Sequence, residues 1–236
     1  MAPRGMLFDL DDTIVAYDAV AEPTWRSVCD HYSRRFPILD KDVTYDTIKE
    51  VRIWYWSDME RHKSGRRNLD EARRRIVRLA LAQLGVNDVG LADGIADMYS
   101  VRREEEVHFF LGAENALEYF SSNGISLVLV TNGDAGKQRD KVRRFQLERF
   151  FKAVLIEGEL GYGKPDEAIY LRALDELSLS PGDVWSIGDN LEWDVRAPQK
   201  LGIYSIWNDY RKRGLPPGST VVPNRIVHSI SELIPK

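Results

Sequence analysis

Short apolar runs without polar interruption recur along this 236-residue chain, and their placement leaves few folds open. The first opens with Gly5-Met6-Leu7-Phe8 and reads as a buried strand over residues 5–10. The same texture returns only after residue 124, at 125–130, 153–156, 184–187 and 203–207. Runs of this kind suit strands covered on both faces, as in a parallel sheet. Helical periodicity separates the later ones, over roughly 115–122, 137–145, 167–177 and 191–201. Asn190 is placed to cap the last of these helices and Gly202 to end it. Strand, helix and strand in alternation predict an α/β fold, a Rossmann-like parallel sheet core flanked by helices.

Residues 17–111 have a different texture. They hold Trp25, Trp54 and Trp56, many arginines and long helical periodicities, with no convincing strand. Arg73, Arg74 and Arg75 precede Ile76, Leu79, Ala80 and Leu84, an amphipathic pattern that Gly85 ends. The expectation is an all-helical cap domain at 17–111, inserted after the first strand of a core made of 1–16 and 112–236. Residues 211–218, with two prolines and two glycines, read as a loop.

Composition narrows the class. Lys and Arg number 33 against 37 Asp and Glu, a net charge of -4 that argues for neither a nucleic-acid nor a membrane partner. One cysteine, Cys29, rules out a disulfide framework and a cysteine-based zinc site, and it fits a reducing compartment. Met1-Ala2-Pro3-Arg4 carries no signal-peptide pattern, and no apolar stretch approaches the ~18 residues of a membrane span. The expectation is a soluble, cytoplasmic globular protein. Its oligomeric state is not legible.

Function in a parallel α/β sheet gathers at the carboxyl ends of the strands. Three carboxylates, Asp9, Asp11 and Asp12, follow the first run, with Thr13 behind them. If residues 6–10 form a strand, Asp9 and Asp11 share a face and Asp12 takes the other. Two carboxylates on one side repel unless a cation lies between them, an arrangement suited to a Mg2+ site where one Asp attacks and its neighbour moves protons. The alternative is a strand followed by an Asp-rich turn. Thr131-Asn132-Gly133-Asp134 follows the second run, and Gly163-Lys164-Pro165-Asp166 lies beyond the third. Gly188-Asp189-Asn190 follows the fourth, with Glu192 and Asp194 just beyond. Each fragment alone has a dull explanation as a turn or a helix cap. Four in register at successive strand ends do not.

With these motifs the chain resembles the haloacid dehalogenase superfamily of aspartate-nucleophile phosphohydrolases with a helical cap. The pattern DxDxT is met by Asp9-Leu10-Asp11-Asp12-Thr13, and the second motif by Thr131-Asn132. Lys164 in Gly163-Lys164-Pro165 meets the third, and Gly188-Asp189 with Asp194 the acidic fourth. The resemblance implies that Asp9 is the nucleophile and that Asp11 protonates the leaving oxygen and then activates water. It implies a Mg2+ held by Asp9, the Asp11 backbone carbonyl and Asp189. Thr131 and the Asn132 backbone amide would hold phosphoryl oxygens, and Lys164 would neutralise charge on Asp9 and the phosphoryl group. Thr13 and Asp194 would support these groups, Asp194 by orienting Lys164 or a metal-bound water. Gln138-Arg139-Asp140-Lys141 and 188–194 resemble the branch of N-acetylneuraminate-9-phosphate phosphatases and pyrimidine nucleotidases, which act on small phosphomonoesters.

The expected activity is hydrolysis of a small phosphorylated metabolite. Dehalogenation releases halide and needs no proton, and the acid Asp11 therefore favours phosphoryl chemistry. A phosphomutase would use the same residues, and a non-catalytic phosphate-binding protein, such as a receiver-like module, is the alternative from another class. Recognition in the cap would fall to 53–56 with Arg52, Arg61, His62, Lys63, Arg66 and Arg67. On the other view, Trp54 and Trp56 hold the cap helices together while the basic residues solvate their outer face.

Overall fold

The computed structural model describes residues 2–66 and 68–235. Arg67 and the side chain of Lys63, both named above among the basic residues of the cap, lie outside the described residues.

The chain divides into two units, residues 1–16 with 108–236 and residues 17–107. The first unit begins with β1 (Gly5–Phe8), wholly buried, and continues through β2 (Val15–Ala16). The inserted unit carries α1 (Ala21–Arg35), α2 (Lys41–Ser57), α3 (Met59–Gly65), α4 (Leu69–Gln83) and α5 (Val89–Glu106). The chain then returns through β3 (His108–Phe109), α6 (Ala113–Ser122), β4 (Ser126–Thr131) and α7 (Ala135–Arg144). Next come β5 (Ala153–Ile156), α8 (Glu157–Leu160), α9 (Glu167–Leu177) and β6 (Val184–Gly188). After a π-helical stretch at Leu191–Arg196 follow α10 (Ala197–Lys200), β7 (Tyr204–Asn208) and β8 (Arg225–Val227).

Six strands form one sheet in the order β5-β4-β1-β6-β7-β8, every neighbouring pair parallel. The runs pack as their composition requires. Leu7, Val128, Val130 and Leu155 meet Ile169, Tyr170, Ala173 and Leu174 of α9 on one side. Phe8 meets Phe120 and Phe151, with ring centroids 6.1 and 6.2 Å away.

Several boundaries differ from the sequence expectation. The first strand stops at Phe8, not at residue 10. The Asp9 N–H still donates to the Ile187 carbonyl at 2.9 Å, but the chain then turns, with the Ile14 and Val15 N–H groups both reaching the Leu10 carbonyl. Asp12 lies in the left-handed region at φ 59°. The strict alternation of faces therefore ends before Asp9. The expected single helix at 191–201 is instead the π-helical stretch running into α10. The absence of strand within 17–111 also fails locally, since β3 pairs antiparallel with β2 through Val15↔Phe109 and Ala16↔His108. This short ladder places 108–111 with the first unit. Strand β8 has two of its three residues exposed and leaves no long apolar run in the sequence.

The inserted unit has its own core, in which Trp25, Tyr45, Ile48, Ile76, Leu81, Ile95 and Tyr99 are buried together. Asp40, Asp58, Asn68 and Asp88 cap its helices α2 to α5 through side-chain oxygens. Arg74 and Arg78 of α4 form two-point ion pairs with Asp97 and Asp93 of α5. Arg73 is buried and donates to Ser100 Oγ at 2.9 Å. The two tryptophans of α2 part company. Trp56 packs against this core, whereas Trp54 is exposed with the Arg61 guanidinium 3.9 Å from its ring. Among the described residues, no helix is long and apolar enough to cross a membrane.

Burial pushes the Cys29 thiol up to about 12, with Arg26 opposing. At pH 8 only about 1 in 10,000 such groups is a thiolate, the reactive form. A disulfide reagent such as DTNB is therefore expected to label Cys29 at least ~100-fold more slowly in the folded protein than in denaturant. Comparable rates would show that α1 does not stay packed.

Candidate active site

Strand order decides where chemistry can gather. From β1, the chain builds β4 and β5 on one side, then crosses to build β6, β7 and β8 on the other. The carboxyl ends of β1, β4 and β6 lie together at this reversal, where open α/β sheets leave a crevice. Asp9 follows β1, Thr131 ends β4 and Asp189 follows β6.

At the centre lies Lys164. Its ammonium donates to Asp9 Oδ1 at 2.7 Å and to Asp194 Oδ1 at 2.6 Å, with all three side chains almost wholly buried. Burial works against the charge of Lys164, but Asp194 and Asp9 outweigh it and hold the ammonium protonated. The second oxygen of Asp9 accepts from Thr13 Oγ1 at 3.1 Å. Asp194 Oδ2 accepts from the Asn190 N–H at 3.0 Å, while Asn190 Oδ1 caps the N–H groups of Glu192 and Trp193. Gly188 makes this possible, since a Cβ there would overlap the Asp194 carboxylate.

One lysine does not balance the acids around it. Asp9, Asp189 and Asp194 each offer a carboxylate oxygen, and these atoms lie within 4.8 Å of one another. Burial raises Asp9 to about 7, with Asp194 adding and Lys164 opposing. Asp189 is raised well above the usual carboxylate range by burial and then by Asp9, Asp194 and Asp12. Such crowding is costly unless a further cation shares the site, and an all-oxygen donor set fits a hard divalent ion such as Mg2+. Asp12 is itself buried, with its carbonyl accepting from Asn208 Nδ2 at 3.0 Å.

Asp11 sits apart from the carboxylate cluster. Its two oxygens lie 2.8 Å from the ammonium of Lys141, and Oδ2 also accepts from Gln138 Nε2 at 3.1 Å. Gln138 Nε2 also donates to Thr131 Oγ1 at 2.5 Å, and Gln138 Oε1 accepts from Lys141 at 2.9 Å. Gln138 and Lys141 are buried polar residues on one face of α7, three apart. In the sequence these two residues carry only the resemblance; that they grip Asp11 is visible in the fold alone. In the sequence, the signal is a Gln and a Lys three apart in the helix directly after the strand-end Thr131-Asn132. Asn132 also gains a side-chain role. It donates to the Lys164 carbonyl at 2.6 Å and accepts from the Lys164 N–H at 2.8 Å, fixing the loop that carries the ammonium. Glu157, buried at the start of α8, accepts from the Gly133 N–H at 3.1 Å.

Space does not mark this site. A cavity of about 640 Å3 lies at the opposite edge of the sheet, against Arg4, Tyr119 and Trp185, and gathers no carboxylates. The chemistry sits where charge converges.

Known proteins resemble this chain in sequence and in fold. The sequence profile of the hydrolase family described as haloacid dehalogenase-like hydrolase matches residues 3–202. A glyceraldehyde 3-phosphate phosphatase of Pyrococcus furiosus is 27% identical over 207 residues, covering 88% of this chain and 81% of the relative. An N-acylneuraminate-9-phosphatase of Mus musculus is 26% identical, covering 98% of this chain and 92% of the relative. Among solved structures, the magnesium-bound HAD-hydrolase YfnB from Bacillus subtilis shares the fold with a TM-score of 0.75 at 23% identity, covering 99% of this chain and 97% of that one.

Lys141→Met removes the cation that holds the Asp11 carboxylate. The expected result is a fall in kcat of about tenfold or more, with the melting transition still cooperative. A kcat equal to that of the parent protein would show that the ion pair is only structural.

Proposed function

We propose that this chain, which belongs to the haloacid dehalogenase-like hydrolase family, is a phosphatase that hydrolyses a small phosphomonoester through an aspartyl-phosphate on Asp9. The observation that carries the reading is the buried Lys164 ammonium bound to both Asp9 and Asp194 at the carboxyl edge of the sheet. It holds the Asp9 carboxylate in a fixed orientation and supplies positive charge where phosphoryl oxygens gain negative charge.

In the first step, an Asp9 oxygen attacks phosphorus and the bond to the ester oxygen breaks. The leaving oxygen takes a proton from Asp11, the general acid. In the second step, water loses a proton to Asp11 and attacks phosphorus. The bond from phosphorus to Asp9 then breaks and inorganic phosphate leaves. Gln138 and Lys141 fix Asp11 for both steps, and Gln138 orients the Thr131 hydroxyl towards its role at the phosphoryl group. The Asn132 backbone amide serves the same oxygens, while its side chain keeps Lys164 in register. Asp9, the Asp11 carbonyl and Asp189 would hold Mg2+, which when bound neutralises charge between nucleophile and phosphoryl group.

The acid at position 11 supports phosphatase over dehalogenase chemistry, because departure of an alkoxide needs the proton that departure of a halide does not. Relatives whose names specify glyceraldehyde 3-phosphate, phosphoserine and N-acylneuraminate 9-phosphate support a small phosphorylated metabolite as substrate.

Turnover of p-nitrophenyl phosphate should vanish in excess EDTA and return with Mg2+; full activity in EDTA would refute the metal assignment. Asp9→Asn should abolish turnover while leaving the fold intact, and a normal kcat would show that the nucleophile lies elsewhere. Asp11→Asn should slow both phosphorylation and dephosphorylation in single-turnover experiments, each by about 100-fold or more. Slowing of one phase alone would remove its dual role.

A further inference from the structure

The strand beside β6 ends in two residues that the reaction above does not use. Trp207 and Asn208 close β7, which is paired on both sides, through Gly188↔Trp207 with β6 and Asn208↔Val227 with β8. Both side chains are buried. Neighbours on a strand point to opposite faces, and these two reach different loops. The Trp207 indole packs with Val195 and Val221 and donates through Nε1 to the Asp189 carbonyl at 2.7 Å. Asn208 Nδ2 donates to the Asp12 carbonyl at 3.0 Å, 196 positions away in the chain.

Each bond completes the fixing of one peptide plane. The Asp189 carbonyl and the Asn190 N–H belong to the same rigid unit. Trp207 donates to the carbonyl, and Asp194 Oδ2 accepts from the N–H at 3.0 Å. A plane held at both edges restricts rotation about the Cα–C bond of Asp189, and with it the direction in which the carboxylate leaves the chain. The Asp12 carbonyl and the Thr13 N–H form a second such unit. Asn208 donates to that carbonyl, while the Leu10 carbonyl accepts from the N–H at 3.4 Å. This plane leads directly into Thr13, whose hydroxyl holds Asp9 Oδ2 at 3.1 Å. Asp12 needs such support, because its φ of 59° is costly for a residue other than glycine.

The asparagine is not explained by packing. Its Oδ1 is buried with no hydrogen-bond partner among the described residues, which costs stability. A leucine would carry no such cost, so the contribution of Asn208 lies in the bond it donates.

We propose that Trp207 and Asn208 are positioning residues for the divalent cation, one fixing the backbone of Asp189 and the other the backbone that leads through Thr13 to Asp9. Because they are adjacent on one paired strand, that strand sets the spacing of the two loops that carry the carboxylates. Asp9 and Asp189, which repel each other without a cation, are thereby kept within reach of one ion before it binds, and binding then has less to order. The inference rests on the reading of Asp9, the Asp11 carbonyl and Asp189 as the seat of Mg2+.

Equilibrium binding of Mn2+, which takes the same oxygen ligands as Mg2+, to the metal-free full-length protein tests this. Free Mn2+ is measured by its electron paramagnetic resonance signal, with no substrate present. Trp207→Phe keeps an aromatic ring in the packing and removes the N–H donor, and Asn208→Leu removes the donor and the orphaned oxygen together. Each is expected to raise the Mn2+ dissociation constant about fivefold. The Mg2+ concentration for half-maximal hydrolysis of p-nitrophenyl phosphate should rise by a similar factor, with kcat recovering at saturating Mg2+. Trp185→Phe, at the cavity on the opposite edge of the sheet, should change neither constant. If Asn208→Leu does not unfold cooperatively, Trp207→Phe alone decides the outcome. An unchanged Mn2+ constant in the folded variants, even with kcat reduced, would show a merely structural role and overturn the proposal while leaving the phosphatase reading intact. Failure of the parent protein to bind Mn2+ would overturn both.

Discussion

The buried triad of Asp9, Lys164 and Asp194 is the interaction on which the catalytic unit depends. Taking three charges out of water is costly, and removing one partner of a buried ion pair costs about 3–5 kcal/mol. The surrounding chain is arranged to keep the triad complete. Thr13 and the Asn190 N–H take the carboxylate oxygens that Lys164 leaves over. Asn132 locks the backbone of Lys164 by two hydrogen bonds, and Gly188 leaves room for the Asp194 carboxylate. Asp189 then adds a third carboxylate within 4.8 Å, a donor set that would suit a divalent cation.

This arrangement needs the parallel sheet. Asp9 and Lys164 are 155 positions apart, and Asp11 and Lys141 are 130 apart. Only a register that sets the ends of β1, β4 and β6 side by side brings such residues within hydrogen-bond reach. The alignment of Phe8 with Leu129 and with Ile187 does so. Burial on both faces of β1 holds that register, because a slip by one residue would turn its side chains to the wrong side.

The insertion after β2 is tolerated for a related reason. Residues 17–107 bury their own tryptophan, tyrosines and aliphatic side chains in a separate core, and their helices carry their own caps. The short β2–β3 ladder closes the first unit where the chain leaves and returns. Two arginines of this unit lie inside it rather than on its surface. Arg73 donates to Ser100 and Tyr17, and Arg103 to the Tyr17 carbonyl and Asp18, acceptors distant in the chain that make their burial tolerable.

By itself, the sequence determined the α/β core, the helical insertion and the strand-end residues Asp9, Asp11, Thr131, Lys164 and Asp189. Apolar runs and helical periodicity are local properties, and the chemistry follows each run directly. Tertiary structure alone decided the pairings. It set Lys141 and Gln138 on Asp11, turned the Asn132 side chain to Lys164 and brought the Asp194 carboxylate beside Asp9 and Asp189. It also ended the first strand before the carboxylates, which voided the argument from alternating faces. Periodicity states which face a residue occupies, whereas an ion pair depends on distance and burial, and these exist only once the strands have found their register.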